Sequence, residues 1–492
     1  MANYPMRTYL YLITITATLG GLLFGYDTAV ISGTVESLQT FFVDPYGLSE
    51  TAANSRLGLI VSAALIGCII GGLSGGWVSN TIGRRKGLMI AATLFLISAL
   101  GSAMPEVFIR PIGEGDHTFI WNFAAYRLLG GLGVGLASML SPMYIAEIAP
   151  AEKRGKLVSL NQFAIISGML IVYFVNYGIA RHGEDSWLHQ TGWRWMFLSE
   201  SIPAILFLIL IFFIPETPRF LSIKGKEDRA LGVLIRINGP EKARQILGEI
   251  KESIQITQKG SKLFSFGTKI ILIGLAIAIF QQWIGINAIL YYSPVIFKDM
   301  GAGTDASLLS TIYVGIVNLT FTIVAILLVD RIGRKKLLVI GAAVMAVAMI
   351  SVGLIFYFSF ESSLINGLEV NQFTSPVSAI VAFIFILIFI AGFATSWGPV
   401  AWVLLSELFP NKIRARALAL ATAALWVSNL VISWTFPIIN NSSFLVDKFN
   451  HGFAYWIYGV VGILAALFVM KFVPETKGKS LEELEGLWGK GK

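Results

Sequence analysis

Long apolar runs separated by short polar loops set the pattern of this chain from end to end. Leu57 to Val78, Phe197 to Ile214, Ile270 to Ile289 and Ile380 to Phe393 are apolar almost all the way round. The longer of these runs reach the ~20 residues that cross a ~30 Å hydrocarbon layer, so they read as membrane-spanning helices. About twelve spans are predicted, centred near residues 20, 68, 95, 133, 168, 206, 280, 319, 347, 391, 427 and 463. The first continues past Gly20 and Gly21 into Phe24 to Val30 without a cleavage pattern, so it is expected to stay as a span and not to leave as a signal peptide.

Composition agrees. The 492 residues are 55% hydrophobic and 13% charged, against roughly 25% charged for a soluble chain. An even number of spans puts both termini on one side. Of the 37 Lys and Arg, 30 fall at the termini or in alternate loops, six (Arg56, Arg110, Arg181, Arg194, Lys298, Lys448) fall on the other side, and Arg127 falls inside a span. The positive-inside rule makes the first set, and both termini, cytoplasmic. The +8 net charge then reports orientation, and no nucleic-acid partner is required. The single cysteine, Cys68, lies among glycines in an apolar helix, where it reads as a small packing residue.

The chain repeats itself. Gly83-Arg84-Arg85 matches Gly333-Arg334-Lys335 at an offset of 250, Glu147 through Arg154 matches Glu407 through Arg414 at 260, and Pro215-Glu216-Thr217 matches Pro474-Glu475-Thr476 at 259. Ordered matches at nearly constant offset indicate duplication, with six spans per copy. The copies are therefore parallel, and a substrate site is expected near midplane between them. The expected division is a bundle over 1–214, a basic cytoplasmic linker of short helices over 215–268, a second bundle over 269–474 and a cytoplasmic tail over 475–492.

These repeated loops, together with Arg127-x-x-Gly130-Gly131-x-Gly133, Pro142-Met-Tyr-Ile-Ala-Glu147, Pro215-Glu-Thr-Pro-Arg219, Gln281-Gln282-x-x-Gly285-x-Asn287 and Pro474-Glu-Thr-Lys-Gly-Lys479, resemble the sugar porter family of the major facilitator superfamily over essentially the whole chain. Gly20 to Gly33 and Ser138 to Tyr144 most resemble its bacterial proton-linked D-xylose branch. The resemblance implies an all-α membrane protein of twelve helices in two pseudo-symmetric six-helix bundles. It implies a transporter in the bacterial inner membrane that brings in D-xylose or a related pentose or hexose with a proton, with no cofactor and no obligate protein partner.

Asp27 lies inside the first span, where an acid costs ~2.5–3.5 kcal/mol on insertion scales, and Arg127 in the fourth span is its natural partner. A change that separates them would switch the carboxylate between proton-loaded and proton-free, so Asp27 is expected to carry the coupled proton and Arg127 to tune it. A static pair joining two helices is the other reading. Glu200 is a further candidate, placed close to an interface and open to solvation. In the family's passive facilitators the Asp27 position is usually Asn, so the acid favours symport over a proton-independent facilitator.

Sugar recognition needs neutral donors and acceptors beside apolar surface. Gln281, Gln282 and Asn287 offer them within two turns of an apolar span, although polar amides also glue membrane helices together. Gln162, Asn318 and Trp402 match sugar-contacting positions of the family, and Phe24, Gly398 and Trp426 complete the implied set. Trp402 follows Gly398-Pro399, where a kink is expected. Tyr291 and Tyr292 read either as an outer lid or as interfacial anchors. Met169 and Leu425 are apolar where the D-xylose branch has sugar-contacting glutamines, which leaves the choice of sugar open.

Arg84, Arg85, Glu147 and Arg154 in the first copy and Arg334, Glu407 and Arg414 in the second fall at cytoplasmic helix ends. The resemblance implies that they form ion pairs that close this side and break on inward opening, while each taken singly also reads as an orientation charge or a solvated pair worth under ~1 kcal/mol. Asn80 replaces the acid that Asp330 keeps in the second copy, so the two locks are expected to differ. An enzyme is disfavoured, since no HExxH, GxSxG, P-loop or Cys/His metal cluster occurs and the four histidines, His117, His182, His189 and His451, fall in outer loops. Gly131-Leu-Gly133-Val-Gly135 lies in a span with no strand before it, so it reads as helix packing and not as a nucleotide loop. A sugar sensor would carry a longer signalling tail.

Overall fold

The computed structural model describes residues 6–150, 153–258, 263–365, 368–410 and 413–477. Twelve helices among them are long and apolar enough to cross a membrane: Thr8–Gly33, Glu50–Thr81, Arg84–Ala103, His117–Ile148, Arg154–Ala180, Asp185–Ile211, Thr268–Asp299, Thr304–Val329, Arg334–Ser359, Pro376–Leu408, Arg416–Asn440 and Phe453–Phe472. Each contains one of the twelve predicted centres. Lys412, Lys479, the Asp330 side chain and the expected tail beyond residue 477 lie outside the described residues.

Glycine decides how closely the first six helices pack. A Cβ on Gly131 of the fourth span would fall 1.7 Å from the Ala64 carbonyl oxygen of the second. Backbones therefore touch directly there, beside fully buried Cys68, as the glycine run predicts. The second span also packs along the eleventh, and the fifth along the eighth, so these four helices form most of the contact between the two groups of six, with the seventh span touching the end of the first.

Three spans are interrupted where backbone geometry changes. The sixth breaks at Glu200, between Trp193–Ser199 and Ser201–Ile211. The seventh breaks at Gly285, whose φ of +94° and contact with the Tyr458 ring exclude a side chain. The tenth breaks at Ser396, between Pro376–Thr395 and Trp397–Leu408. That break falls just before Gly398-Pro399, where the sequence predicts a kink.

Between the sixth and seventh spans run the short helices Pro218–Ile223, Glu227–Asn238 and Pro240–Gln258. Among the described residues, the one addition to the all-helical expectation is an antiparallel ribbon between the ninth and tenth spans, Phe360–Ile365 paired with Leu368–Phe373.

Hydrogen bonds joining the two groups gather at the end away from the basic loops. Lys298 Nζ donates to Glu36, Thr304 to Asp185 at 3.0 Å, Asn441 Nδ2 to Asn54 at 3.2 Å, Trp434 Nε1 to the Ser55 carbonyl at 3.0 Å, and the Ser443 amide to Glu50 at 2.8 Å.

Candidate functional site

Asp27 and Arg127 meet in the middle of the first bundle. Arg127 Nη1 donates to Asp27 Oδ1 at 2.6 Å, and Nη2 donates to the Asp27 carbonyl at 3.0 Å. Both side chains are buried, at 0% and 1% exposure. Gly130 lets the carboxylate in, since a Cβ there would crowd Ser98 Oγ and Asp27 Oδ1. The guanidinium also lies 5.3 Å from the Phe197 ring centroid, and its Nε has no hydrogen-bond partner among the described residues.

Glu200 departs from the sequence reading. It is not solvated near an interface; it is fully buried at the break in the sixth span, within electrostatic reach of Asp27 and Arg127. Neither carboxylate oxygen has a hydrogen-bond partner among the described residues. Two acids and one base thus lie together in the buried interior of the first bundle. Sequence position put Glu200 near a helix end, but the extra turns that begin at Asp185 carry it inward.

The amides of the seventh span are partly committed to protein. Gln281 Nε2 donates to the Trp397 and Gly398 carbonyls, at 2.8 and 3.2 Å, at the break in the tenth span. Asn287 Nδ2 donates to Gln282 Oε1 at 2.6 Å across the break at Gly285. Gln281 therefore does hold helices together, as the competing reading allows, while its Oε1 and the Gln282 Nε2 have no protein partner among the described residues. Phe24 and Trp426 approach each other from opposite bundles, with centroids 5.6 Å apart, and the buried Trp426 Nε1 has no hydrogen-bond partner among the described residues. Gln162 and Trp402 are half-buried and Asn318 is buried. None of the three is hydrogen-bonded to the other candidates. Met169 and Leu425 are buried among apolar side chains.

Tyr291 and Tyr292 are buried at 4% and 2% exposure, which removes the interfacial-anchor reading. Tyr292 donates to the Ser433 carbonyl at 2.9 Å, and the Tyr291 hydroxyl accepts from Asn429 Nδ2 at 3.3 Å. Asn429 was not singled out from sequence. Its signal was its place one turn after Trp426 in an apolar span, on the same helix face.

At the basic end, the ion pairs form inside each bundle. Arg84 Nη2 reaches Glu147 Oε1 at 2.8 Å, and Arg334 Nη2 reaches Glu407 Oε1 at 2.9 Å. The hydroxyls of Thr217 and Thr476 donate to the same two glutamates, each at 2.6 Å. Glu216 accepts from the Arg84 and Arg85 amides, and Glu475 from the Arg334 and Lys335 amides. These four residues belong to the Pro-Glu-Thr repeat, which the sequence showed as a mark of duplication and of family resemblance but not as part of the charge network. Partial burial works to raise the Glu475 carboxyl, but four backbone N–H groups outweigh it and hold it below the usual carboxylate range.

The remaining expected gate residues behave differently. Arg85 donates to the Ile211 and Phe212 carbonyls and caps the sixth span. Arg414 Nε donates to the Phe409 carbonyl at 3.0 Å. Arg154 is exposed and makes no ion pair with a described residue, and Asn80 is likewise exposed.

A family model described as "sugar (and other) transporter" matches residues 13–488. The chain is 56% identical to the D-xylose-proton symporter of Escherichia coli over 98% of its own length and 96% of that protein's. It is 39% identical to the glucose facilitated diffusion protein of Zymomonas mobilis, with 97% of each chain covered. A partially occluded inward-open structure of the E. coli xylose transporter superposes with a TM-score of 0.85 at 53% identity, covering 96% of this chain and 100% of that one. With twelve spans, a duplicated six-helix plan and near-complete coverage by that family model, the chain belongs to the sugar transporter family and has the major facilitator fold.

Proposed function

We propose that this chain carries a monosaccharide, D-xylose or a related pentose or hexose, into the cell together with a proton, by alternating access between its two bundles. The observation that carries the reading is the buried group of Asp27, Arg127 and Glu200, an ion pair with a second, unpartnered acid close by inside the first bundle. Ionisable groups at that depth mark ion pathways and proton relays. In this reading Asp27 takes up the proton, Arg127 sets how readily it does so, and Glu200 is the second acid through which the pair senses its protonation.

Gln281, Gln282 and Asn287 supply the hydroxyl-binding edge of the sugar site, Phe24, Trp402 and Trp426 its apolar walls, and Gln162, Asn318 and Tyr291 its remaining polar contacts. The breaks at Gly285 and Ser396 sit beside Gln282 and Gly398, so opening either span reshapes the site. The bundles 1–214 and 269–474 act as the moving bodies. The bridges at the far end, Glu36–Lys298 among them, support a state closed on that side. The bias of Lys and Arg supports cytoplasmic termini in a bacterial inner membrane. The pairs Arg84–Glu147 and Arg334–Glu407 shape the basic end of each bundle, and closure of that end brings the two networks together.

Uptake into proteoliposomes tests the proposal. With one proton per sugar, a ~100 mV potential supplies ~2.3 kcal/mol, which sustains roughly 40-fold accumulation. Asp27→Asn and a protonophore are each expected to reduce accumulation to equality while sugar exchange continues. Equilibration alone in the wild type, unaffected by either, would leave a facilitator.

A further inference from the structure

The third span carries a groove that the transport pathway does not use. It is an open hollow of about 570 Å³ along Arg85, Lys86, Met89, Ile90, Thr93 and Leu94. These positions recur every three to four residues, so they form one stripe of the helix, cationic at the basic end and apolar below. From Lys86 to Leu94 the stripe runs ~12 Å at ~1.5 Å per residue.

Neither cation is neutralised by a carboxylate bonded to its side chain. Lys86 is exposed and has no hydrogen bond or ion pair with a described residue. The Arg85 guanidinium spends its donors on two neutral carbonyls, Ile211 at 3.1 Å and Phe212 at 2.7 Å. Glu216, the acid at this helix start, is turned onto the Arg84 and Arg85 amides. Phe212 and Phe213, 55% and 76% exposed, stand at the same depth, where aromatic rings favour the membrane interface.

We propose that this groove holds one anionic phospholipid, with its phosphodiester against Lys86 and Arg85 and one acyl chain along Met89, Ile90 and Leu94. A zwitterionic headgroup would bring an ammonium to a site that offers it two cations. The second bundle repeats the plan: Lys335 Nζ donates to the Met470 carbonyl at 2.8 Å, Lys336 is exposed, and Ile340 is 56% exposed one turn on. A lipid so placed spans the outer surfaces of the third span and the end of the sixth.

Native mass spectrometry of the full chain released from nanodiscs of equal phosphatidylglycerol and phosphatidylcholine tests this. The wild type is expected to retain phosphatidylglycerol in preference. Lys86→Glu should lower that retention by about fivefold or more, the weight of one lysine at an anionic surface. Lys86→Arg should keep it, and Lys448→Glu at the opposite end should leave it unchanged. Equal retention of the two lipids, or equal losses in Lys86→Glu and Lys448→Glu, overturns the proposal. Inorganic phosphate in large excess separates the sources of the anion: a lipid that stays supports a diacyl ligand, and one that is displaced overturns the acyl-chain contact.

Discussion

Lys298 of the seventh span pairs with Glu36, at the far end of the first bundle, and so ties the two bundles together at that end. His189 stands behind the pair, its Nε2 4.0 Å from Glu36 Oε1 and its Nδ1 3.0 Å from Ser37 Oγ. Glu36 is 44% exposed and Lys298 23%, so solvent screens the attraction. Such a pair contributes under ~1 kcal/mol.

Lys298→Ala should therefore shift the balance toward states open at the far end by no more than about fivefold. Distance distributions between spin labels on the two bundles at that end report the shift. An unchanged distribution would mean that the neutral bridges, such as Asn441–Asn54, hold this side alone.

Arg127→Met leaves the Asp27 carboxylate buried with no donor. The expected loss is about 3–5 kcal/mol of stability, the usual consequence of orphaning one partner of a buried pair. Adding Asp27→Asn should restore most of it, because the uncompensated charge is gone. Thermal unfolding in detergent of the two single variants and the double variant gives the coupling. Additive losses would rule out a direct energetic link between the two residues.

Asn287→Ala removes the hydrogen bond that holds Gln282 Oε1 across the seventh-span break. A net ~1–1.5 kcal/mol for such a bond corresponds to roughly tenfold weaker sugar binding, with folding little affected. Calorimetric titration with D-xylose and D-glucose measures it. Unaltered affinity for both would take Asn287 out of the binding edge.

Acid should release the Glu475 clasp. Its carboxyl is held below its ordinary value of 4.5 by the Lys477, Arg334, Lys335 and Thr476 amides, which overcome partial burial. The carboxylate's contribution is thus fully present above that ordinary value and is lost as pH falls through the lowered one. Hydrogen exchange at the start of the ninth span, corrected for intrinsic rates, should accelerate in that acid window in the wild type. Glu475→Gln should exchange faster at neutral pH and show no such step.

How much of this was legible beforehand follows from what each feature depends on. A run such as Ile270 to Ile289 declares a span by its own length and apolarity, and the Arg84–Arg334 and Glu147–Glu407 repeats declare duplication by spacing. Both are local properties of the chain. Asp27 and Arg127 could be paired from sequence because a charge in hydrocarbon needs a partner and few were on offer. Which neighbour a polar side chain meets depends on the rotation and depth of its helix, and no local pattern carries that. Tertiary structure alone decided that Glu200 lies beside Asp27 and Arg127, that Tyr291 turns inward to Asn429, that Glu147 and Glu407 each pair within their own bundle, and that Lys298 reaches across to Glu36. Burial sets the composition of a span, but the angle at which spans pack against one another chooses the partners of its few polar groups.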